Sequence, residues 1–490
     1  MKGHQKDIRY QNEVGDLDFK WMDSYGSAWR VAGCFGQEQL MIVDPKAIHH
    51  IVHASGYDYP KKQENRQGMR LLGGRGMIWS HGERHQRQRK ILNPAFTTSQ
   101  IKSFLPIFIR TGMELVGKLK EEVVLTAAAS GLSDDTAVIN VVRWLSHTTL
   151  DAIGEAGFNL KLGALNSDEN ELTKVYHNLF LDSTLYPPVA DIIFKHFWAY
   201  IPEDILNWVR YIPTAQYRRF RQYLDHMRRY AKELIRGFDV NSDGKDVLSL
   251  LLRANASQDP ESRVSDDELF DLIPTMLLAG HDTTAMTLVW FLWELAKDID
   301  FQTKVREEIA ATRKKIVTRG GKDLEVADLD SMVYLHAAMK ESMRIHTIAW
   351  EMHRTAGTND VIPLAFPITT KSGKTLSGIP VSKGQNIAIS MCGYNRVPEV
   401  WGEDAHVWNP YRFLDEGKTM QTGKAGGLRG CIGVIEMQTI AIALLENFQF
   451  TVPPEPKDRV ILRKPATVMS PMNEHHQGSW LGLSMRIIEA

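Results

Sequence analysis

The run from Asp266 to Ala296 constrains this chain more than any other feature. It is long and mostly apolar with helical character, and Leu272 to Leu295 within it is the longest apolar stretch of the sequence. His281 and Asp282 interrupt that stretch, and a charge at bilayer depth is costly. The run therefore predicts a buried helix and not a membrane span. A chain of 490 residues that is 43% hydrophobic has ample material for the core such a helix needs. A prior of about 150 residues per domain would give roughly three domains. No Pro-, Ser- or Gly-rich linker, charge block or repeat divides the sequence, so a single domain over 1–490 is expected.

The formal net charge is −1, which gives no sign of a nucleic-acid partner. The three cysteines, Cys34, Cys392 and Cys431, are far apart and odd in number. That argues against a disulfide scaffold and for a reducing, intracellular compartment. The N-terminus, MKGHQKDIRYQNEVGDLDF, is polar and lacks a signal-peptide core. Residues 1–14 are expected to be a flexible segment, with no transmembrane anchor. The stretch Phe194 to Tyr211 carries Phe197, Trp198, Tyr200, Ile201, Leu206, Trp208 and Val209, a composition that suits a membrane interface.

Periodicity and breakers give a coarse map. Two short β-prone runs lie between Ala28 and Asp44. A basic helix begins near Glu83 and stops before Pro94. Further helices are expected over Val138–Phe158, Tyr217–Arg236, Asp266–Ala296, Lys304–Arg313, Met332–His346 and Gly433–Glu446. Short β runs, GKTLSG and GQNIAIS, precede the last helix, and a β-rich tail follows it. Helices and strands in separate runs predict a mainly α (α+β) architecture, a large helical body with small sheets.

Four constellations carry chemistry. Ala279-Gly280-His281-Asp282-Thr283-Thr284 sits inside the apolar helix. Gly costs that helix about 1 kcal/mol relative to Ala, and a buried Asp needs a partner or a task. Small residues admit a flat ligand, and a carboxylate beside a hydroxyl can relay protons; a locally satisfied kink is the alternative. Glu341 and Arg344 share a helix face at i, i+3, although most such pairs are solvated. Arg412, in Pro410-Tyr411-Arg412-Phe413, can join them as a third charge. Gly427-Leu428-Arg429-Gly430-Cys431-Ile432-Gly433 precedes a helix whose N-terminus favours an anionic sulfur, and Arg429 can bind a carboxylate or propionate. A structural buried cysteine is the alternative there.

Taken together as AGxDTT, ExxR, PxRF and GxRxCxG in that order, these motifs resemble the cytochrome P-450 family of haem-thiolate monooxygenases, in particular its fungal, mushroom-type microsomal members. WGEDAHVWNPYRF, TLDAIGEAGF and GERHQRQRKILNPAF extend the likeness. The resemblance implies haem b held between the long central helix and the Cys loop, with Cys431 as the thiolate ligand. It implies that Asp282 and Thr283 deliver protons to bound dioxygen and that Ala279 and Gly280 leave room for it. Arg89, Arg354 and Arg429 match propionate-pairing positions, and His85 stands where the family usually has Trp. Glu341, Arg344 and Arg412 match a structural triad. The implied partners are dioxygen, an NADPH–cytochrome P-450 reductase and a lipophilic substrate, a terpenoid-like compound of secondary metabolism being the leading guess. Leu278, Ile348, Ala349, Trp350 and Met472 are candidate substrate contacts. The implied location is the endoplasmic reticulum surface, with peripheral membrane contact.

Two departures flank the cysteine. Lys424 stands where the family has an aromatic, and CIGVIEMQ brings Glu436 five positions after the cysteine where the family has it nine after. Losing four residues slips a helix face by only about 40°. Two alternatives follow: a haem-impaired or inactive member, and a haem-thiolate isomerase, which would not need the Asp282–Thr283 pair. A cysteine hydrolase using Cys431 would leave the other three motifs unexplained.

Overall fold

The computed structural model describes residues 3–130, 136–166, 174, 179–237, 244–259, 263–414 and 432–488. Nine of its helices bear on the site: α1 (Gln63–Gly73), α2 (Gly82–Leu92), α3 (Leu105–Ser130), α4 (Val141–Phe158), α5 (Ala215–Arg236), α6 (Asp266–Lys297), α7 (Ile299–Thr318), α8 (Val333–Ile345) and α9 (Ile432–Asn447). The strands are β1 (Ala28–Ala32), β2 (Glu38–Ile42), β3 (Thr136–Asn140), β4 (Glu351–Thr355), β5 (Asp360–Thr369), β6 (Thr375–Val381), β7 (Asn386–Ser390), β8 (Phe448–Thr451), β9 (Leu462–Lys464), β10 (Ser470–Met472) and β11 (Gly482–Ile487).

The apolar run that dominates the sequence becomes α6. Ser265 and Glu268 form a capping box at its start, and Asp266, Asp267 and Glu268 place negative charge against its N-terminal dipole. Pro274 sits inside the helix. The Tyr223 hydroxyl, from α5, donates to the Pro274 carbonyl at 3.2 Å. Leu272, Leu277, Leu288 and Leu295 are fully buried, each worth roughly 1.5–3 kcal/mol. A helix apolar on all faces must be enclosed, and α4, α5, α8 and α9 all pack against α6.

The sheets lie outside this helical body. Four strands run in the order β1-β2-β7-β4, with β2 and β7 parallel and Leu40 opposite Ile387. The antiparallel pairs β5–β6 and β9–β10 and the triplet β3-β11-β8 complete the set among the described residues. Mainly helical with small sheets, the architecture is the one expected.

Three local expectations need correction. The helix expected from Val138 starts at Val141, because Thr136–Asn140 pairs as a strand with β11, Ile139 opposite Leu483. Asn140 then caps α4 by accepting the Val142 N–H at 3.2 Å. The 26-residue α3 was not anticipated at all. Residues 1–14, expected to be flexible, carry a helix at Gln5–Tyr10. Ile8 and Val14 are each 2% exposed, and the His4 N–H donates to the Ala32 carbonyl at 2.8 Å. Two apolar side chains and a strand-edge hydrogen bond hold that segment down.

Candidate active site

On the otherwise enclosed α6, Ala279 and Thr283 are exposed, and Met276, Gly280 and Asp282 are half-buried. Residues at i and i+4 share a face, so Ala279 and Thr283 mark an open stripe on α6. The threonine hydroxyls return to the helix: Thr283 donates to the Ala279 carbonyl at 2.8 Å and Thr284 to that of Gly280 at 2.9 Å. Asp282 Oδ1 lies 3.0 Å from Nε2 of the buried His281. Gly280 has a packing role as well. A Cβ there would come within 2.8 Å of Ile153 Cγ1 on α4. Its smallness lets α4 and α6 approach, while Ala279 is the small residue on the open stripe. On the same side as Ile153, Thr149 donates to the His281 carbonyl at 3.1 Å.

The second element is a buried knot of charge. Glu341 is 0% and Arg344 3% exposed. Arg344 Nε and Nη2 each reach a Glu341 oxygen at 2.8 Å. Its remaining N–H groups donate to the carbonyls of Asn395 and Ala405, both at 2.6 Å, and of Val407 at 3.1 Å. All five guanidinium donors are thereby used. Arg412 Nε donates to Glu341 at 3.0 Å, and its other nitrogens reach the Trp401 carbonyl at 2.7 Å and Asp404 at 2.9 Å. The Asn409 N–H also donates to Glu341, at 2.7 Å. The knot ties α8 to the segment that ends at Phe413.

The third element is cationic. His85 and Arg89 lie one turn apart on α2, and Arg354 lies on β4. Lys61, which sequence reasoning missed, is bridged to Arg354 across strands. Its ammonium donates to the carbonyls of Met77, Ile78 and Ser80 at 3.1, 2.7 and 3.1 Å. Burial, and then the charges of Lys61 and Arg89, hold the His85 pKa below the ordinary histidine value. Burial likewise lowers that of Arg354. Among the described residues no carboxylate pairs with Lys61, His85, Arg89 or Arg354.

Cys431, Arg429 and Lys424 lie outside the described residues. The helix that follows the cysteine does not: a Cβ on Gly433 would sit 3.4 Å from Thr284 Oγ1, so the start of α9 abuts α6 beside Thr283. The other two thiols are poorly disposed to ligation. Burial raises the pKa of both Cys34 and Cys392, and Cys392 packs its sulfur 3.4 Å from Ser390 Oγ. An open small-residue stripe on α6, a helix start behind a cysteine, and basic side chains without a carboxylate partner among the described residues are the features that a flat prosthetic group bearing carboxylates would use.

Of the candidate substrate contacts, Leu278, Ile348 and Trp350 are 4%, 9% and 4% exposed and belong to the core, Trp350 with its indole N–H on the Ala466 carbonyl at 2.9 Å. Ala349 is exposed and Met472 half-buried. His281, quoted within the motif but given no role, is the functional candidate that sequence reasoning missed. Its signal was its place between a glycine and an aspartate in an apolar helix.

Comparison with known proteins agrees with this geometry. A family model described as Cytochrome P-450 matches residues 1–477. Cytochrome P-450 monooxygenase 205 of Postia placenta is 32% identical over 99% of this chain and 90% of its own length. Cytochrome P-450 monooxygenase claQ of Ampulloclitocybe clavipes is 30% identical, covering 98% of this chain and 90% of its own.

Proposed function

Because this chain belongs to the cytochrome P-450 family of monooxygenases, we propose that it inserts one oxygen atom from dioxygen into a lipophilic substrate, with Cys431 as the thiolate ligand of haem b. The observation that carries this reading is the open Ala279–Thr283 stripe on α6, beside the start of α9. When bound, the haem would supply the oxidising chemistry. Arg89, Arg354 and Arg429 would neutralise its propionates, with the Lys61 charge nearby and a ring N–H offered by His85. Ala279 keeps the face of α6 low. Asp282 offers a half-buried carboxyl and Thr283 an exposed hydroxyl, the pair that would pass protons inward. Glu341, Arg344 and Arg412 brace the approach to the Cys loop and touch no reactant. Electrons would come from NADPH through a separate reductase, and fungal secondary metabolism is the proposed setting, with a terpenoid-like substrate.

We place the protein at a membrane surface, in the manner of microsomal relatives. Among the described residues no helix is long and apolar enough to cross a membrane. An exposed apolar patch supplies the alternative contact: Trp208 is 71%, Tyr200 66% and Ile205 59% exposed, and Phe197 stands 5.4 Å from Phe35 at the β1–β2 turn. Trp198, Leu206 and Val209, expected in that patch, are buried in the core. Liposome flotation of the wild type should be lost with Trp208→Glu and Ile205→Glu together.

The deciding experiment is the absorption spectrum of the reduced, CO-bound protein. Cys431→Ala should abolish the thiolate-type band, and Cys34→Ala and Cys392→Ala should keep it. Retention of the band in Cys431→Ala would reject the ligand assignment. A second reading, a haem-impaired member, is favoured by Glu436. That carboxyl is 1% exposed, its Oε1 has no hydrogen-bond partner among the described residues, and burial raises its pKa well above the ordinary value. Under that reading the wild type shows no thiolate-type band.

A further inference from the structure

His281 sits in the middle of α6 with 2% of its surface exposed, and the proton path above does not use it. Its Nδ1 is 3.0 Å from the Leu277 carbonyl oxygen, one turn back. Its Nε2 is 3.0 Å from Asp282 Oδ1. A carbonyl oxygen only accepts, so Nδ1 must carry a hydrogen. The second contact then needs a proton of its own. Either an imidazolium faces a carboxylate, or a neutral imidazole faces a carboxylic acid. Without that proton, two lone pairs would oppose each other in a buried site, an arrangement that burial makes costly.

The surroundings support a retained proton. Burial by itself disfavours charge on His281, but the charge and hydrogen bond of Asp282, and the Leu277 carbonyl, outweigh it and raise the pKa. Asp282 has 17% of its side chain exposed against 2% for His281. The pair thus has a dry end and a wet end, the wet end next to Thr283. From α4, Thr149 fixes the His281 carbonyl at 3.1 Å, and Ile153 fills the space at Gly280.

Resting on the monooxygenase reading, we propose that His281 is a positioning residue that keeps one proton in store for Asp282. The proton moves from Nε2 to Oδ1 across their 3.0 Å separation. That leaves a neutral imidazole, with Nδ1–H still on Leu277, and a neutral carboxylic acid. The acid hands its proton on toward Thr283, and water at its exposed edge returns one to the pair. No electrons change hands.

Nitrogen NMR on histidine-labelled protein in the reduced, CO-bound state, with the His281 signals assigned by their loss in His281→Gln, tests the store directly. Both ring nitrogens should carry hydrogen, or Nε2 should share one. An Nε2 with no hydrogen overturns the proposal. A failure of the monooxygenase reading would show separately, as a missing thiolate-type band. Two variants separate storage from orientation. His281→Gln keeps a hydrogen bond to Asp282 without a transferable proton, and His281→Phe keeps only bulk. Both should raise the share of NADPH consumption lost as peroxide, by about tenfold. Normal coupling in His281→Gln would mean that His281 only orients Asp282, and would overturn the store.

Discussion

Two groups of cationic side chains in this molecule are built on opposite terms. Around Glu341, the guanidinium of Arg344 is buried and that of Arg412 half-buried, and their donors meet carboxylates and main-chain carbonyls. Around His85, the cations of Lys61, Arg89 and Arg354 crowd one another with no carboxylate among the described residues. The first arrangement is complete without any ligand. In the second, Lys61 is met by main-chain carbonyls alone, and no carboxylate balances the charges. Cations that the chain itself neutralises hold the fold, whereas cations that it leaves facing each other mark a place prepared for a partner.

The widest test of this contrast is Glu341→Ala. It strands two guanidiniums, and removing one partner of a buried ion pair costs about 3–5 kcal/mol. Denaturant unfolding should show that loss, and a change under 1 kcal/mol would erase the distinction between the two groups. Next comes Arg354→Gln. It should loosen haem by about 1.5–3 kcal/mol, the worth of a charge-assisted hydrogen bond, read as faster transfer to a haem scavenger. The haem-free chain should unfold no earlier than wild type, because a repulsion has been relieved. The third test uses pH. His85 resists protonation in the fold, through burial first and then Lys61 and Arg89, so the unfolded chain binds a proton that the folded chain refuses. Stability of the haem-free protein should therefore fall as pH drops through the ordinary histidine range, by at most about 1.4 kcal/mol per pH unit from this group. His85→Gln should flatten that slope, and an unchanged slope would remove His85 from the crowded set. Thr283→Ala has the smallest expected effect on stability, about 0.5–1 kcal/mol for one helix-returning hydrogen bond. It should still divert reducing equivalents into peroxide.

The sequence made the helical scaffold readable wherever apolar period and caps agreed. The apolar run from Asp266 to Ala296 announces α6, and the basic α2 ends where Pro94 requires. The knot was readable as well, because i, i+3 spacing pairs Glu341 with Arg344 and the PxRF turn offers Arg412. The break between β3 and α4 was hidden. Val138 and Ile139 continue smoothly in composition into Val141 and Val142, and only Asn140 marks the change. Burial of Trp198 was hidden for another reason. Short 3-10 turns from Phe197 to Tyr200 and Asn207 to Tyr211 have no long period to assign faces, so exposed Trp208 and buried Trp198 look alike in sequence. Lys61 could not be found at all, since its neighbour Arg354 is brought to it only by the sheet.

The meeting of Gly280 with Ile153 reaches beyond this one chain. A side chain at 280 would collide with Ile153 on α4, at 2.8 Å, and the other way to make room is to push α6 away from α4. The two positions are therefore bound as an evolutionary couple. In descendants of this sequence, any residue larger than glycine at 280 should arrive together with a residue smaller than isoleucine at 153, and the spacing of α4 and α6 should be kept only in lineages that make both changes.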